Sequence, residues 1–547
     1  MPKALPLFVS ACALSVPTFA QDRAALDALV DKDVLAAHIR FLSCDELEGR
    51  GVGTRGDLLA QRYLATQLQA CGLQPAGEEG SWVQSVPILG ITSQVTIPLR
   101  AAGENGEASF SAPDDYTAVA GSPATTAAWQ GAELVFVGYG IFAPEQNWDD
   151  FGEADLRGKV LLVMNNDPAD DPDRFAGKTR LYYGRWSYKY EEAARRGAVG
   201  AIVIHTNESA GYPYQVVQTS HGRENFWLPF VDGAPTLPVR SWCSEDAAKK
   251  LCALGGKDLD TLRRVAERGN QPPVPLGVKL DLAIENTVRE LRSANIAGVL
   301  PGSDPQLAAE HVVVTAHFDH LGIGKPRGDD AIYNGAVDNA SGCGGVLTLA
   351  RAASQLTPRP RRSLMFLFVT AEESGLLGSQ FFANQPTVPR EQLVANFNVD
   401  GLNIWGSTRD LEFIGYGKNS LTGLASTIAE QRGRHLTPDS NPDLGLFYRS
   451  DHFNFARIGV PAAYFKAGKD FLDRPEDRRR MKNSYTAVHY HQPTDEIAPW
   501  WNYDGAVDDL RLLLECLVTT ANADQAPRWT PGDEFEKARL PSGQGGR

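Results

Sequence analysis

Three apolar runs in this 547-residue chain stop abruptly on a histidine or a carboxylate, and that repeated ending constrains the fold more than any other feature. Val312–Ala316 runs into His317-Phe318-Asp319, Leu364–Thr370 into Ala371-Glu372-Glu373, and Leu393–Val399 into Asp400. A fourth run, Val460–Phe465, has the same length and texture. Continuous apolar runs of this kind read as parallel strands buried on both faces, and the segments between them are long enough for crossover helices. The expectation from Ser293 onward is therefore an α/β fold, a mixed and mostly parallel sheet flanked by helices. In open sheets of this class, ligands bind beyond the carboxyl ends of the strands. That edge is where these runs deliver His317, Glu373 and Asp400.

Two further segments supply the same chemistry: Asn334–Gly342 carries Asp338, and Tyr490–Asp495 carries His491. A mixture of imidazoles and carboxylates suits zinc, which accepts nitrogen and oxygen alike. Two metal ions about 3.5–4 Å apart need a shared anionic bridge, and Asp338 is the candidate. His317 with Asp400 would complete one zinc, and His491 with Glu373 the other. Asp319, two residues past His317, is placed to accept the second imidazole N–H and fix the ring. Glu372, beside a ligand, is the natural general base. His320 and His489 are the nearest competitors for the imidazole positions. Taken alone, Glu372-Glu373 reads as an acidic helix start and Asp338-Asn339 as a turn or cap; only the set points to metal chemistry.

Length makes two domains the default, since one hydrophobic core rarely serves so long a chain. The net charge of -14 opposes binding to nucleic acid or anionic lipid. Residues 1–20 read as a secretory signal: Lys3 is the basic start, Ala4–Val16 the apolar stretch, and Thr18-Phe19-Ala20 a small-x-small cleavage site. A secreted or periplasmic protein cleaved after Ala20 is the expectation. Val9–Cys12 also fits lipid attachment through Cys12, at the cost of an unusually short apolar stretch. No later segment approaches the ~20 apolar residues needed to span a bilayer. Cys44, Cys71, Cys243, Cys252, Cys343 and Cys516 form an even set; they read either as disulfides, Cys243 with Cys252 the most local, or as buried small apolar groups.

Helical periodicity runs through Leu26–Gln69, so residues 21–118 are expected to be an N-terminal helical part. Its interruption, Gly49–Gly56, contains a nominal GxGxxG, but this follows a helix-like segment rather than a strand and reads as a loop. Residues 119–284 change texture to short β-rich runs: Leu134–Tyr139, Val160–Met164, Val199–His205 and Leu237–Ser241, with a helix-like Tyr188–Arg196 between two of them. Residues 285–523 hold the site, and 524–547, polar with several Pro and Gly, are expected to be flexible. The chain has no HExxH, GxSxG or GxxxxGK[ST] motif, which removes common hydrolase and nucleotide-binding classes. Arg327-Gly328-Asp329 is a chance tripeptide in a charged loop.

The ordered series His317-x-Asp319, Asp338–Gly342, Glu372-Glu373, Asp400 and His491-x-Pro493-x-Asp495 resembles the co-catalytic di-zinc aminopeptidases. Relatives of that family include glutamate carboxypeptidases, glutaminyl cyclases and the transferrin receptors. The resemblance implies a zinc-exopeptidase fold and two zinc ions. It implies hydrolysis of N-terminal peptide bonds through a metal-bridging hydroxide, with Glu372 as base and peptides with a free N-terminus as substrates. Arg449-Ser450-Asp451-His452 resembles the family's substrate-side loop, which assigns Arg449 and Asp451 to substrate binding, and Tyr490 would stabilise the tetrahedral intermediate. Residues 119–284 resemble an inserted, non-catalytic protease-associated domain. A carboxypeptidase, a glutaminyl cyclase or a catalytically dead receptor would fit the same frame.

Overall fold

The computed structural model describes residues 23–169, 174–220, 222–231 and 233–539. The expected secretory signal, the Cys12 alternative and the last residues of the tail lie outside the described residues. The elements that build the site are strands β1 (Val83–Gly103), β2 (Val274–Leu300), β3 (His311–His317), β4 (Ser363–Val369), β5 (Leu393–Asn398), β6 (Asp410–Ile414), β7 (His435–Pro438) and β8 (Ala462–Ala467). Helices α1 (Lys32–Leu42), α2 (Arg55–Ala70), α3 (Gly342–Ser354) and α4 (Asp504–Asn522) flank them. The sheet order is β7-β6-β8-β5-β3-β4-β2. Pairs β3–β4, β3–β5, β5–β8 and β6–β7 are parallel, whereas β2 and β6 run against β4 and β8.

Both faces of the central strands are covered, as their unbroken apolar runs require. Val312, Val314, Phe366, Phe368 and Phe397 pack with Leu35, Ile39, Leu64, Leu68, Leu347 and Leu510 on one side. Val313, Met365, Leu367 and Leu393, one position out of phase, pack with Phe382 and Phe455 on the other. This is the period-two alternation of a strand between two helical layers. Side-chain caps set where the first helices begin: Asp31 accepts from the N–H groups of Asp33 and Val34, and Thr54 from that of Asp57.

A second body is built on the long antiparallel pair β1 and β2. Near its end β2 buries Ala294 and Ile296 in the first core, while Leu276, Val278, Leu280 and Leu282 lie in a second one. There the strand Thr126–Phe136 pairs with β2 and begins a parallel series through Val160–Met164, Gly200–His205 and Val239–Ser244. The expected runs are therefore strands, and the helix between two of them spans Trp186–Arg195.

Two expectations need correction. Residues 83–118 are not part of a helical preface: they form β1, Gly106–Ser109 and Tyr116–Ala120, and bury Leu99, Ala101, Phe110 and Tyr116 in the second core. The tail does not loosen at residue 524. Trp529 and Phe535 are buried against Phe447, Tyr448 and Phe453, which fixes the chain to residue 539. Among the described residues all six cysteines are free thiols, four of them buried. No helix among the described residues is long and apolar enough to cross a membrane.

Candidate metal centre

Strands β3, β4 and β5 end level with one another: His317 pairs with Val369, and Thr315 with Asn398. The residues just beyond these ends therefore meet at one edge of the sheet. His317 points its Nε2 at Asp338 Oδ1 (3.2 Å) and Asp400 Oδ1 (3.5 Å). His491 points its Nε2 at Asp338 Oδ2 (3.2 Å) and Glu373 Oε2 (3.0 Å). The two oxygens of Asp338 thus face different imidazoles, and each imidazole has a second carboxylate. All five expected ligand side chains come together here.

His320, an expected competitor, also belongs to the cluster. It is buried, and its Nδ1 lies 2.7 Å from Glu373 Oε1, the oxygen turned away from His491. By position alone, His317, Asp338 and Asp400 form one group that could hold a cation, and His320, Asp338 and Glu373 another. His491 reaches the same two carboxylates from the more open side, with its side chain 32% exposed. His491 Nε2 touches both carboxylates, whereas His320 Nδ1 touches only the far oxygen of Glu373. His489 turns away to the carbonyl of Thr494 (2.9 Å) and is not part of the centre.

The supporting residues differ in part from expectation. The His317 Nδ1 donates to the backbone carbonyl of Asp319 (3.2 Å), while the Asp319 carboxylate stands 3.8 Å off. That carboxylate instead accepts from the N–H groups of Glu372 (3.0 Å) and Glu373 (3.3 Å). Asp319 therefore ties the end of β3 to the turn after β4. Asp451, expected to touch substrate, is fully buried. Its neighbour Ser450 donates to Asp400 Oδ2 (2.6 Å) and accepts from Asn398 Nδ2 (2.7 Å), so this loop braces a ligand. Arg449 lies exposed at the rim. The ring of Tyr490 stacks on His491 with centroids 3.9 Å apart and is 37% exposed.

Three contributors had no role assigned to them in this form by the sequence, although His320 was a named competitor. Besides His320, Asp495 accepts the N–H groups of Val337 and Asp338 at 3.1 Å each, which orients Asp338. Arg50, fully buried, donates to carbonyls on both ligand-bearing loops. Asp495 stood in a recognised motif; Arg50 gave no signal beyond its glycine-rich surroundings.

The electrostatics favour a bound cation. Asp319, Asp338, Asp451 and Asp495 are buried, and Glu372, Glu373 and Asp400 stand beside them. Burial works to raise the Asp338 carboxyl, but its contacts with His317 and His491 outweigh this and hold it well below the usual range. For Glu372 burial and the negative Glu373, Asp400 and Asp451 outweigh His317 and push its carboxyl well up. The buried His491 Nε2 lacks a hydrogen-bond partner of good geometry, as expected for a nitrogen that addresses an ion. Nitrogen and oxygen donors 3.0–3.5 Å from one another fit metal binding.

Comparison with known proteins agrees with this geometry. The chain is similar to mouse aminopeptidase NAALADL1, 30% identical over 183 residues, which are 31% of this chain and 23% of the relative. It is also similar to leucine aminopeptidase 2 of Trichophyton rubrum, 25% identical over 34% of this chain and 37% of the relative. The chain thus spans about a quarter to a third of the curated relatives it matches. The fold as a whole is similar to an aminopeptidase from Aneurinibacillus sp. strain AM-1, with a TM-score of 0.52 at 20% identity, covering 91% of this chain and 96% of that one. Residues 295–511 match the model of peptidase family M28. That segment contains His317, Asp338, Glu372, Glu373, Asp400 and His491, so the similarity to peptidase family M28 falls on the residues of the candidate centre.

Proposed function

We propose that this chain is a zinc-dependent aminopeptidase that binds two zinc ions and removes residues from the free N-terminus of peptides. The observation that carries the reading is Asp338, whose two oxygens each face one imidazole at 3.2 Å while each imidazole has its own further carboxylate. His317 and Asp400 would hold one zinc, His491 and Glu373 the other, and Asp338 both. Zinc bound there supplies Lewis-acid polarisation of the scissile carbonyl and acidifies the attacking water. The protein's own groups do the rest. Glu372 takes the proton from that water and delivers it to the leaving amine, a task suited to a carboxylate whose pKa is raised by burial and negative neighbours. Asp319 holds the backbone of Glu372 and so aims this base. Tyr490, stacked on His491 at the open side, would donate to the developing oxyanion.

The exopeptidase reading follows from charge. Carboxylates outnumber buried permanent cations at the centre, so a substrate ammonium is welcome and a blocked amine is not. The strand-rich second body is read as the non-catalytic, protease-associated insertion. Its Tyr182 packs against Tyr448 and Phe453, beside the loop of Arg449. The test is a peptide digest with matched free and N-acetylated substrates, with and without chelator. Cleavage of free peptides alone, abolished by chelation, is expected. Equal cleavage of acetylated peptides would sink the aminopeptidase reading, and turnover unaffected by chelator would sink the metal.

A further inference from the structure

The buried guanidinium of Arg50 has no place in the chemistry above. It belongs to the loop between α1 and α2 and sits at 1% exposure with a left-handed backbone, φ 51°. A non-glycine residue is strained there, so something in the fold keeps it in place. Its side chain makes four hydrogen bonds, all to backbone carbonyls. Nε donates to Phe318 O at 2.7 Å, Nη1 to Asn334 O at 2.6 Å and to Leu42 O, and Nη2 to Gly335 O at 3.0 Å. Phe318 stands between His317 and Asp319, and Gly335 three residues before Asp338. The backbone reinforces the link, because the N–H of His320 donates to Arg50 O and Gly51 bridges to His320. The Asn334 side chain returns the contact by donating to Ser43 O at 3.0 Å and Asp45 Oδ1 at 2.8 Å.

A buried cation without a bonded carboxylate is costly unless nearby charge offsets it. The negative Asp319, Asp338 and Asp495 provide that field. A planar guanidinium presents five N–H donors in a rigid fork, enough for the four carbonyls, whereas an ammonium is a compact point charge with three.

We infer that Arg50 is a positioning residue that sets the spacing between the His317 loop and the Asp338 loop, so that the metal centre is preformed before any ion arrives. The inference rests on the metal-centre reading above. Groups that orient ligands in this way change metal affinity about 10- to 100-fold when removed.

Two measurements test it. The first is the zinc dissociation constant, by chelator competition, for wild type, Arg50→Lys and Arg50→Met, with thermal unfolding recorded alongside. Both variants are expected to bind zinc about 10- to 100-fold more weakly, and a folded Arg50→Lys that binds as tightly as wild type overturns the inference. The second uses wild type alone, so it decides the matter even if neither variant folds. Hydrogen exchange of peptides covering residues 315–321 and 333–340 should change less than about twofold on stripping the metal. Loss of protection in both would show that the ion, and not Arg50, holds the loops. A wild type that binds no zinc breaks the metal reading instead, which keeps the two failures distinct.

Discussion

Two buried clusters of charge, one in each body, are built on opposite principles. In the second body Lys189 is 1% exposed, donates to Asn166 O at 2.8 Å, and lies over the rings of Tyr139 and Tyr188. The buried acids Asp150 and Asp167 face it, with Arg180 close to Asp167. Acids and bases balance there, and each acid also accepts a backbone N–H, from Ile141 or Leu181. The metal centre has seven carboxylates around it, and Arg50 as its buried permanent cation. A cluster that closes on itself is a brace, whereas one left with surplus negative charge asks for a cation from outside.

The sharpest way to break that contrast is to remove the shared carboxylate. Asp338→Asn should lose both zinc ions and all measurable turnover, read by metal analysis and by kcat/KM. Retention of two zinc equivalents would show that Asp338 is not the bridge. Next in size is Glu372→Gln, expected to keep its zinc while kcat falls about 10^2- to 10^4-fold. A variant as active as wild type would remove Glu372 from the chemistry.

The part of this centre that could be read in the sequence is the part written in side chains near strand ends. His317, Glu373 and Asp400 each follow an apolar run that can only be a buried strand, so their place at one edge follows from the sheet itself. Asp338 and His491 lie in loops, and nothing local marks them; they became legible only as members of an ordered series. Arg50 was hidden because three of its four carbonyl partners are 268 to 285 residues away, and backbone acceptors leave no mark on the sequence. β1 was missed for a different reason. Pro87, Gly90 and Pro98 break up its pattern, yet its long antiparallel pairing with β2 tolerates them, Pro87 lying opposite Arg292. The tail looked loose by composition, but two aromatic residues, Trp529 and Phe535, were enough to dock it.

The balanced cluster makes the opposite prediction. Lys189→Met should destabilise the protein by about 3–5 kcal/mol, because it strands buried acids, while zinc content stays unchanged. Burial raises the carboxyls of Asp150 and Asp167 to about 6 in wild type. Acids whose folded pKa lies above the unfolded value add stability at low pH and lose it as pH rises through the folded value. Without Lys189 those carboxyls rise further, so the deficit should be largest at neutral pH and shrink toward pH 5, measured by denaturant unfolding at each pH. A deficit that grew on acidification would show that Lys189 does not face ionised acids.

The smallest effect tests the boundary between the two kinds of cluster. Ser450 lies in the metal centre but carries no charge, and its hydroxyl only passes a hydrogen bond from Asn398 to Asp400. If the centre were a self-contained brace like the Lys189 cluster, Ser450→Ala would cost stability and little else. If it is a cation site, Asp400 loses a donor that fixes its orientation, and zinc affinity should fall about tenfold while unfolding of the metal-free protein shifts by less than about 1 kcal/mol. Chelator competition and metal-free unfolding on the same variant separate the two, because the hydroxyl's value then depends on whether an ion is present for Asp400 to hold.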